Sequence, residues 1–260
     1  MKIAISGKGG VGKTTLAGTL ARVIASGDHK VLAIDADPDA NLASALGFSL
    51  DEVNKITPFA EMTDFIQERT GSQKGAYGGT FKLNPKVDDI PERFSLSREN
   101  LKLLVLGTIP EGGGGCYCPE SVILKFLLRH ILVQLDESII LDMEAGLEHL
   151  GRGATKGIDA FIVVVEPGSR SLQTARQIKK LAADLGINQV YVVGNKICNE
   201  SDREFISNNL EEIKVLGFLD YDQDIVAADR RDQAPFEVNP KIVENVKSIY
   251  ANLQNELTGA

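Results

Sequence analysis

Apolar positions along the chain follow two alternating rhythms. Short runs of strand type occupy residues 1–6 (MKIAIS), Val31 to Ile34, Leu101 to Leu106, Ser138 to Leu141, Ile158 to Val165, Val190 to Val193 and residues 213–219. Between them apolar residues return at helical spacing: Leu16, Leu20, Val23 and Ile24; Val122, Ile123, Phe126, Leu127 and Ile131; Leu172, Ala175, Ile178, Leu181 and Leu185; and, near the end, Val243, Val246, Tyr250, Leu253 and Leu257. Strands alternating with helices predict an α/β fold, a mostly parallel sheet covered by helices on both faces. Residues 51–100 break the rhythm. One helix with Phe59, Met62, Phe65 and Ile66 is followed by a glycine-rich piece (Gly71 to Gly79) and a proline-bearing stretch from Leu83 to Phe94. This segment reads as an irregular insertion or lid rather than core. At 260 residues, with no proline- or serine-rich linker, one domain spanning 1–260 is the economical organisation.

Between the first strand and the first helix, residues 7–15 read GKGGVGKTT. Gly7, Gly12, Lys13 and Thr14 fit the pattern G-x-x-x-x-G-K-[ST], a P-loop whose glycines let successive N–H groups curl around phosphate while the lysine reaches the β/γ oxygens. A P-loop NTPase is therefore predicted. Gly9, Gly10, Val11, Gly12, Lys13, Thr14 and Thr15 are expected to cradle ATP or ADP, with Mg2+ on the Thr14 hydroxyl. The N-terminal end of the following helix adds its positive pole. Lys8 is a second cation at the loop's tip. Pointed away from its own nucleotide, it would complete a neighbour's active site in trans, as an arginine finger does, and make hydrolysis depend on a homodimer.

Composition narrows the partners. With 28 Lys+Arg against 36 Asp+Glu the net charge is −8, which disfavours binding to nucleic acid or anionic lipid. Lys8 and Lys13 interrupt the first apolar run and no stretch approaches a membrane span, so a cytoplasmic protein is expected. The terminal helix has only Lys241 and Lys247 as cations beside Glu244 and Glu256. It lacks a basic lipid-facing rim and is expected to pack on the sheet.

Acidic residues at the carboxyl ends of parallel strands belong beside the P-loop. Asp37, in DADPD at residues 35–39, is the candidate for positioning the attacking water, with Asp35 orienting Mg2+ through water. Asp142 follows the fourth strand of the parallel run and suits coordination of Mg2+ through its waters, while Gly146 supplies an N–H that senses the γ-phosphate. His149 reads as structural. Asn195 and Lys196 end another strand, where the asparagine amide is a candidate reader of the base, bordered by Leu219 to Ile225 and Pro235. Cys116 and Cys118 flank one tyrosine after four glycines. In an extended chain both sulfurs face one way and make half a tetrahedral site, completed by the same loop of a second subunit around Zn2+ or Ni2+. A redox pair or two incidental cysteines are the alternatives. Cys198 reads as structural.

GKGGVGKTT, DADPD and DMEAG in order along one chain resemble the deviant-Walker-A ATPases, the class that contains MinD, ParA and the nitrogenase iron protein. The resemblance implies that Lys8 acts across a sandwich dimer, that Lys13 is the P-loop lysine and that Asp37 is needed for hydrolysis. ITPFAEM, LNPKVDDIPERF, the C-x-C after glycines and DMEAGLEHLGRGAT are similar to the CooC-type nickel-insertion ATPases of carbon monoxide dehydrogenase maturation, with a close relative serving acetyl-CoA synthase. That likeness implies a metal shared by Cys116 and Cys118 of both subunits and a nickel-enzyme client. The rivals are a MinD- or ParA-like positioning ATPase, which asks for a basic face or lipid-binding tail, and an iron–sulfur reductase, which asks for two widely separated cysteines per subunit.

Overall fold

The chain is seen in a computed structural model, which describes residues 1–72, 81–107, 119–145, 150 and 152–259. Cys116, Cys118, Gly146 and His149 lie outside the described residues.

From the N-terminus, β1 (Lys2–Gly7) leads through the glycine loop into α1 (Lys13–Ala25), followed by β2 (Val31–Ala36), α2 (Leu42–Ala45) and α3 (Leu50–Val53). A 3-10 turn at Phe59–Glu61, α4 (Thr63–Thr70) and α5 (Ile90–Phe94) precede the hairpin of β3 (Leu96–Arg98) and β4 (Leu101–Val105). Then come α6 (Pro119–Gln134), β5 (Ser138–Met143), α7 (Arg152–Thr155), β6 (Ala160–Val165), α8 (Ser169–Asp184), β7 (Val190–Ile197) and α9 (Glu200–Asn209). The chain closes with β8 (Lys214–Asp220), α10 (Gln223–Asp229), α11 (Pro235–Val238) and α12 (Pro240–Thr258).

The described strands form one eight-stranded sheet in the order β3-β4-β2-β5-β1-β6-β7-β8. Every pairing is parallel except β3 with β4. The central strands are buried on both faces, which is why they read as unbroken apolar runs. Alternate residues divide between two cores. Ile3, Ile5, Ala33, Ile140, Ile162 and Val164 join Leu16 and Leu20 of α1 and Val246 and Ile249 of α12. Ala4, Leu32, Ile34, Ile139, Leu141 and Val163 join Ile123 and Leu127 of α6, Ile178 of α8 and Ile206 of α9. β2 lies on one side of β1, beyond β5, and β6 on the other, so the chain reverses its winding at β1. Crevices for ligands open at such reversals, at the carboxyl ends of the strands.

Two expectations need correction. Residues 51–100 contribute side chains to the core, where none was expected from them. Phe59, Ile66, Val87 and Ile90 are buried in the α6 face of the molecule, and the rings of Phe59, Phe65 and Phe94 lie 5.0–6.2 Å apart. This part of the core is assembled from single residues on separate short elements, so no period announces it. The same segment also supplies β3, an edge strand of three residues that is too short to show alternation. In α12 the buried face is Ile242, Val246, Ile249 and Leu253, rotated from the expected one, with Val243, Tyr250 and Leu257 only partly buried beside it. The helix does pack on the sheet, and its cations are engaged locally: Lys241 with Asp220 at 2.7 Å and Lys247 with Glu244 at 2.9 Å. Among the described residues no helix is long and apolar enough to cross a membrane.

Candidate functional site

The glycine loop turns because Gly10 (φ 77°) and Gly12 (φ 96°) adopt left-handed backbone that side chains resist. Gly12 then opens α1 without a side-chain cap, which leaves the first N–H groups of the helix available to an anion. Behind the loop Val11 is fully buried and anchors it to the core. In front lies a cleft of about 910 Å³, lined by Gly9, Gly10, Gly12, Lys13, Thr14 and Thr15, by Asp37, and by Asn195 and Lys196. Its far end is walled by Tyr221, Ile225, Val226 and Pro235, which fits the expected border of a base. Lys8 is not among the lining residues, and among the described residues no ion pair engages its ammonium.

The carboxylates are graded by depth. Asp37, just past β2, pairs with Lys13, Nζ to Oδ2 at 3.3 Å, and both side chains are nearly buried. Asp35 lies at the end of β2, where one oxygen accepts from the Leu42 N–H at 2.9 Å and the other from the Asp37 N–H at 3.2 Å. Asp142 pairs with Asp35 in the β2–β5 register. It is fully buried, and neither of its carboxylate oxygens has a hydrogen-bond partner among the described residues.

Burial pushes Asp35 up to about 7, against the two N–H bonds that favour its charge, and Asp142 adds repulsion. Burial likewise pushes Asp142 up to about 6. The nearby Thr14 hydroxyl and the Lys13 charge oppose that rise, although the Thr14 approach falls short of a hydrogen bond of ordinary geometry. A buried, partnerless carboxylate beside a P-loop threonine fits a hydrated divalent cation, which supplies both the charge and the O–H donors that Asp142 lacks.

Asn195 and Lys196 depart from the sequence reading. β7 continues beyond Val193 to Ile197, and the pair sits at an irregularity in its pairing with β8, between Gly194↔Phe218 and Ile197↔Asp220. The Asn195 amide nitrogen donates to the Val11 carbonyl at 2.7 Å and its oxygen accepts from the Lys196 N–H at 2.8 Å. The amide expected to read the base thus makes contacts with protein backbone through both its nitrogen and its oxygen. Sequence reading missed Glu166, whose carboxylate lies 3.2 Å from Lys196 Nζ. Its signal was available, since it directly follows the apolar run of β6 as Asp142 ends that of β5. Cys198 is exposed, and among the described residues no cluster of His, Cys, Asp and Glu is placed to hold a metal.

Comparison with known proteins gives a consistent placement. The CobQ/CobB/MinD/ParA nucleotide binding domain matches residues 2–236. The carbon monoxide dehydrogenase accessory protein CooC of Rhodospirillum rubrum is 45% identical over 253 residues, covering 97% of this chain and 96% of that protein. An uncharacterised ATP-binding protein of Methanocaldococcus jannaschii is also 45% identical over 253 residues, covering 96% of each. Among solved structures, the MinC:MinD cell division complex of Aquifex aeolicus holds a chain similar at TM-score 0.68 and 22% identity, covering 100% of this chain and 96% of that one. MinD of Pyrococcus horikoshii complexed with Mg-ADP is similar at TM-score 0.64 and 20% identity, covering 99% and 96%. These structures speak for the fold alone. By a family match over most of its length and near-complete coverage of a relative at 45% identity, the chain belongs to the CobQ/CobB/MinD/ParA nucleotide-binding family of P-loop ATPases, among the CooC-type proteins.

Proposed function

We propose that this chain is an ATP-hydrolysing metallochaperone that carries nickel, or zinc in its place, at Cys116 and Cys118 of two subunits and assists nickel insertion into carbon monoxide dehydrogenase or acetyl-CoA synthase. The observation that carries this reading is the 45% identity to a carbon monoxide dehydrogenase accessory protein along nearly the whole of both chains. The cleft in front of the P-loop supports the ATPase half of it.

In this reading Gly9 to Thr15 hold the phosphates, and Thr14 would hold Mg2+, with Asp142 and Asp35 acting through its waters. When bound, Mg2+ neutralises charge on the β- and γ-phosphates. Lys13 exchanges its Asp37 partner for phosphate oxygens, which frees the Asp37 carboxylate to orient the attacking water. Lys8, with no ion pair among the described residues, is available to a second subunit's nucleotide. Hydrolysis then separates the subunits and loosens the shared thiolate site, releasing nickel to the client.

Lys8→Ala is expected to leave ATP affinity within about twofold while lowering turnover by about 10²-fold or more, as loss of a charge supplied in trans does. Specific activity of the wild type should also rise with protein concentration. Full turnover in the variant would remove Lys8 from the mechanism.

The metal half is tested by metal content after loading with nickel or zinc, in wild type and in a Cys116→Ser/Cys118→Ser double variant. A shared site takes about half a metal per chain and loses it in the double variant. Iron with sulfide would favour an electron-transfer protein, and unchanged binding in the variant would move the site elsewhere.

A further inference from the structure

We infer that Asn195 and Lys196 are positioning residues that brace the phosphate loop through two of its carbonyls. This rests on the nucleotide-binding reading of the cleft and assigns the pair to the phosphate end of it.

The irregularity in β7 displaces these two residues from the ladder, and bulges beside active sites re-aim side chains in this way. Lys196 itself has φ 58°, a left-handed backbone that a lysine adopts only when its surroundings impose it. The Asn195 oxygen holds that conformation by accepting the Lys196 N–H at 2.8 Å. Both side chains then reach the same loop. Asn195 Nδ2 donates to the Val11 carbonyl at 2.7 Å, and Lys196 Nζ donates to the Gly10 carbonyl at 2.7 Å. Glu166, at the end of β6, steadies the ammonium from 3.2 Å.

A trans peptide group points its C=O and N–H in opposite directions. Anchoring the Gly10 and Val11 oxygens toward β7 therefore turns the N–H groups of Val11 and Gly12 away from it, into the concave side of the loop. Among the described residues Val11 N–H there meets only the Lys8 carbonyl, at a long 3.3 Å. Gly12 acquires a second reason to be glycine, because a Cβ there would run into the Asn195 amide. The brace thus holds in advance the concave N–H arrangement that binds phosphate, which otherwise has to be ordered as the anion arrives.

The test is Mg-ADP affinity by calorimetry together with amide exchange of residues 10–13 in nucleotide-free protein, referred to the exchange of β1 and β5. Wild type, Asn195→Ala, Lys196→Met, Lys196→Arg and Glu166→Gln are compared. A brace predicts about tenfold weaker ADP binding in Asn195→Ala and Lys196→Met, the size of one hydrogen bond to a charged or buried partner. It also predicts loop exchange faster by a similar factor, recovery of most of both effects in Lys196→Arg, and a smaller change of the same sign in Glu166→Gln. Weaker ADP binding with unchanged loop exchange would overturn the brace and assign the pair to direct contact with the nucleotide. Unchanged ADP affinity in both truncations would overturn it as well. Absence of ADP binding by the wild type would instead refute the nucleotide-site reading on which the brace depends.

Discussion

Lys13→Ala is expected to abolish ATP binding at millimolar nucleotide and to lower turnover by about 10³-fold or more, the scale on which phosphoryl transfer depends on its charge clamps. Lys13 opens α1 directly after the left-handed Gly12, and its ammonium is the one cation that the described structure brings into contact with Asp37. It also lowers the pKa of Asp142. Removing it leaves Asp35, Asp37 and Asp142 with no cation at the inner end of the cleft. The nucleotide-free variant should therefore also lose about 1–3 kcal/mol of stability at pH 8, because a nearly buried carboxylate is left without its partner. Part of that loss should disappear near pH 5.5, where Asp142, whose charge Lys13 also favours, is mostly protonated. Calorimetry, turnover and urea unfolding at the two pH values check all three parts. Residual turnover above about a tenth of wild type would mean that Lys13 is not the phosphate ligand, given the scale of such losses.

That lysine was legible because the P-loop is local: nine consecutive residues between an apolar strand and an amphipathic helix contain the whole device. The parallel sheet was legible for a related reason, since strands buried on both faces leave unbroken apolar runs. Asp35, Asp37 and Asp142 could be placed by the rule that ligands collect at strand carboxyl ends, and all three converge behind the loop. What the sequence did not disclose depends on register and on contacts between distant segments. The contact of Asn195 with the Val11 carbonyl follows from an irregularity in a β7–β8 pairing that no local pattern marks. The aromatic cluster of Phe59, Phe65 and Phe94 joins residues 35 positions apart on three short elements. The rotation of the α12 face is set by where β8 and α1 offer space, which its own apolar residues did not specify. Depth was hidden too: Asp35 and Asp142 look alike in sequence, yet among the described residues one is held by two N–H groups and the other by none.

This difference in depth sets up two effects of opposite sign. Asp142→Asn should stabilise the nucleotide-free protein at pH 8 by about 1–3 kcal/mol and lower Mg-ATP turnover by about 10²-fold or more. The wild-type carboxylate is buried with neither oxygen bonded among the described residues, and burial pushes it up to about 6. A carboxyl whose pKa is raised on folding favours the folded state in its protonated form. Its contribution is complete below its unfolded value near 4 and is lost as pH rises through about 6. Asparagine has the same shape and no charge, so it also relieves repulsion with Asp35 and Asp37 and carries no such loss. Bound Mg2+ reverses the balance, since its waters supply the donors that make the ionised form favourable. Protons and Mg-ADP therefore compete at this residue. Stabilisation of the wild type by Mg-ADP should fade as pH drops through about 6, whereas the asparagine variant should gain little from Mg-ADP at any pH. Urea unfolding with and without Mg-ADP, at pH 5.5 and pH 8, separates these cases. A variant less stable than wild type at pH 8 without nucleotide would show that Asp142 is held by contacts the fold needs. In that case the carboxylate would be structural and not kept, at a cost in stability, for the cation.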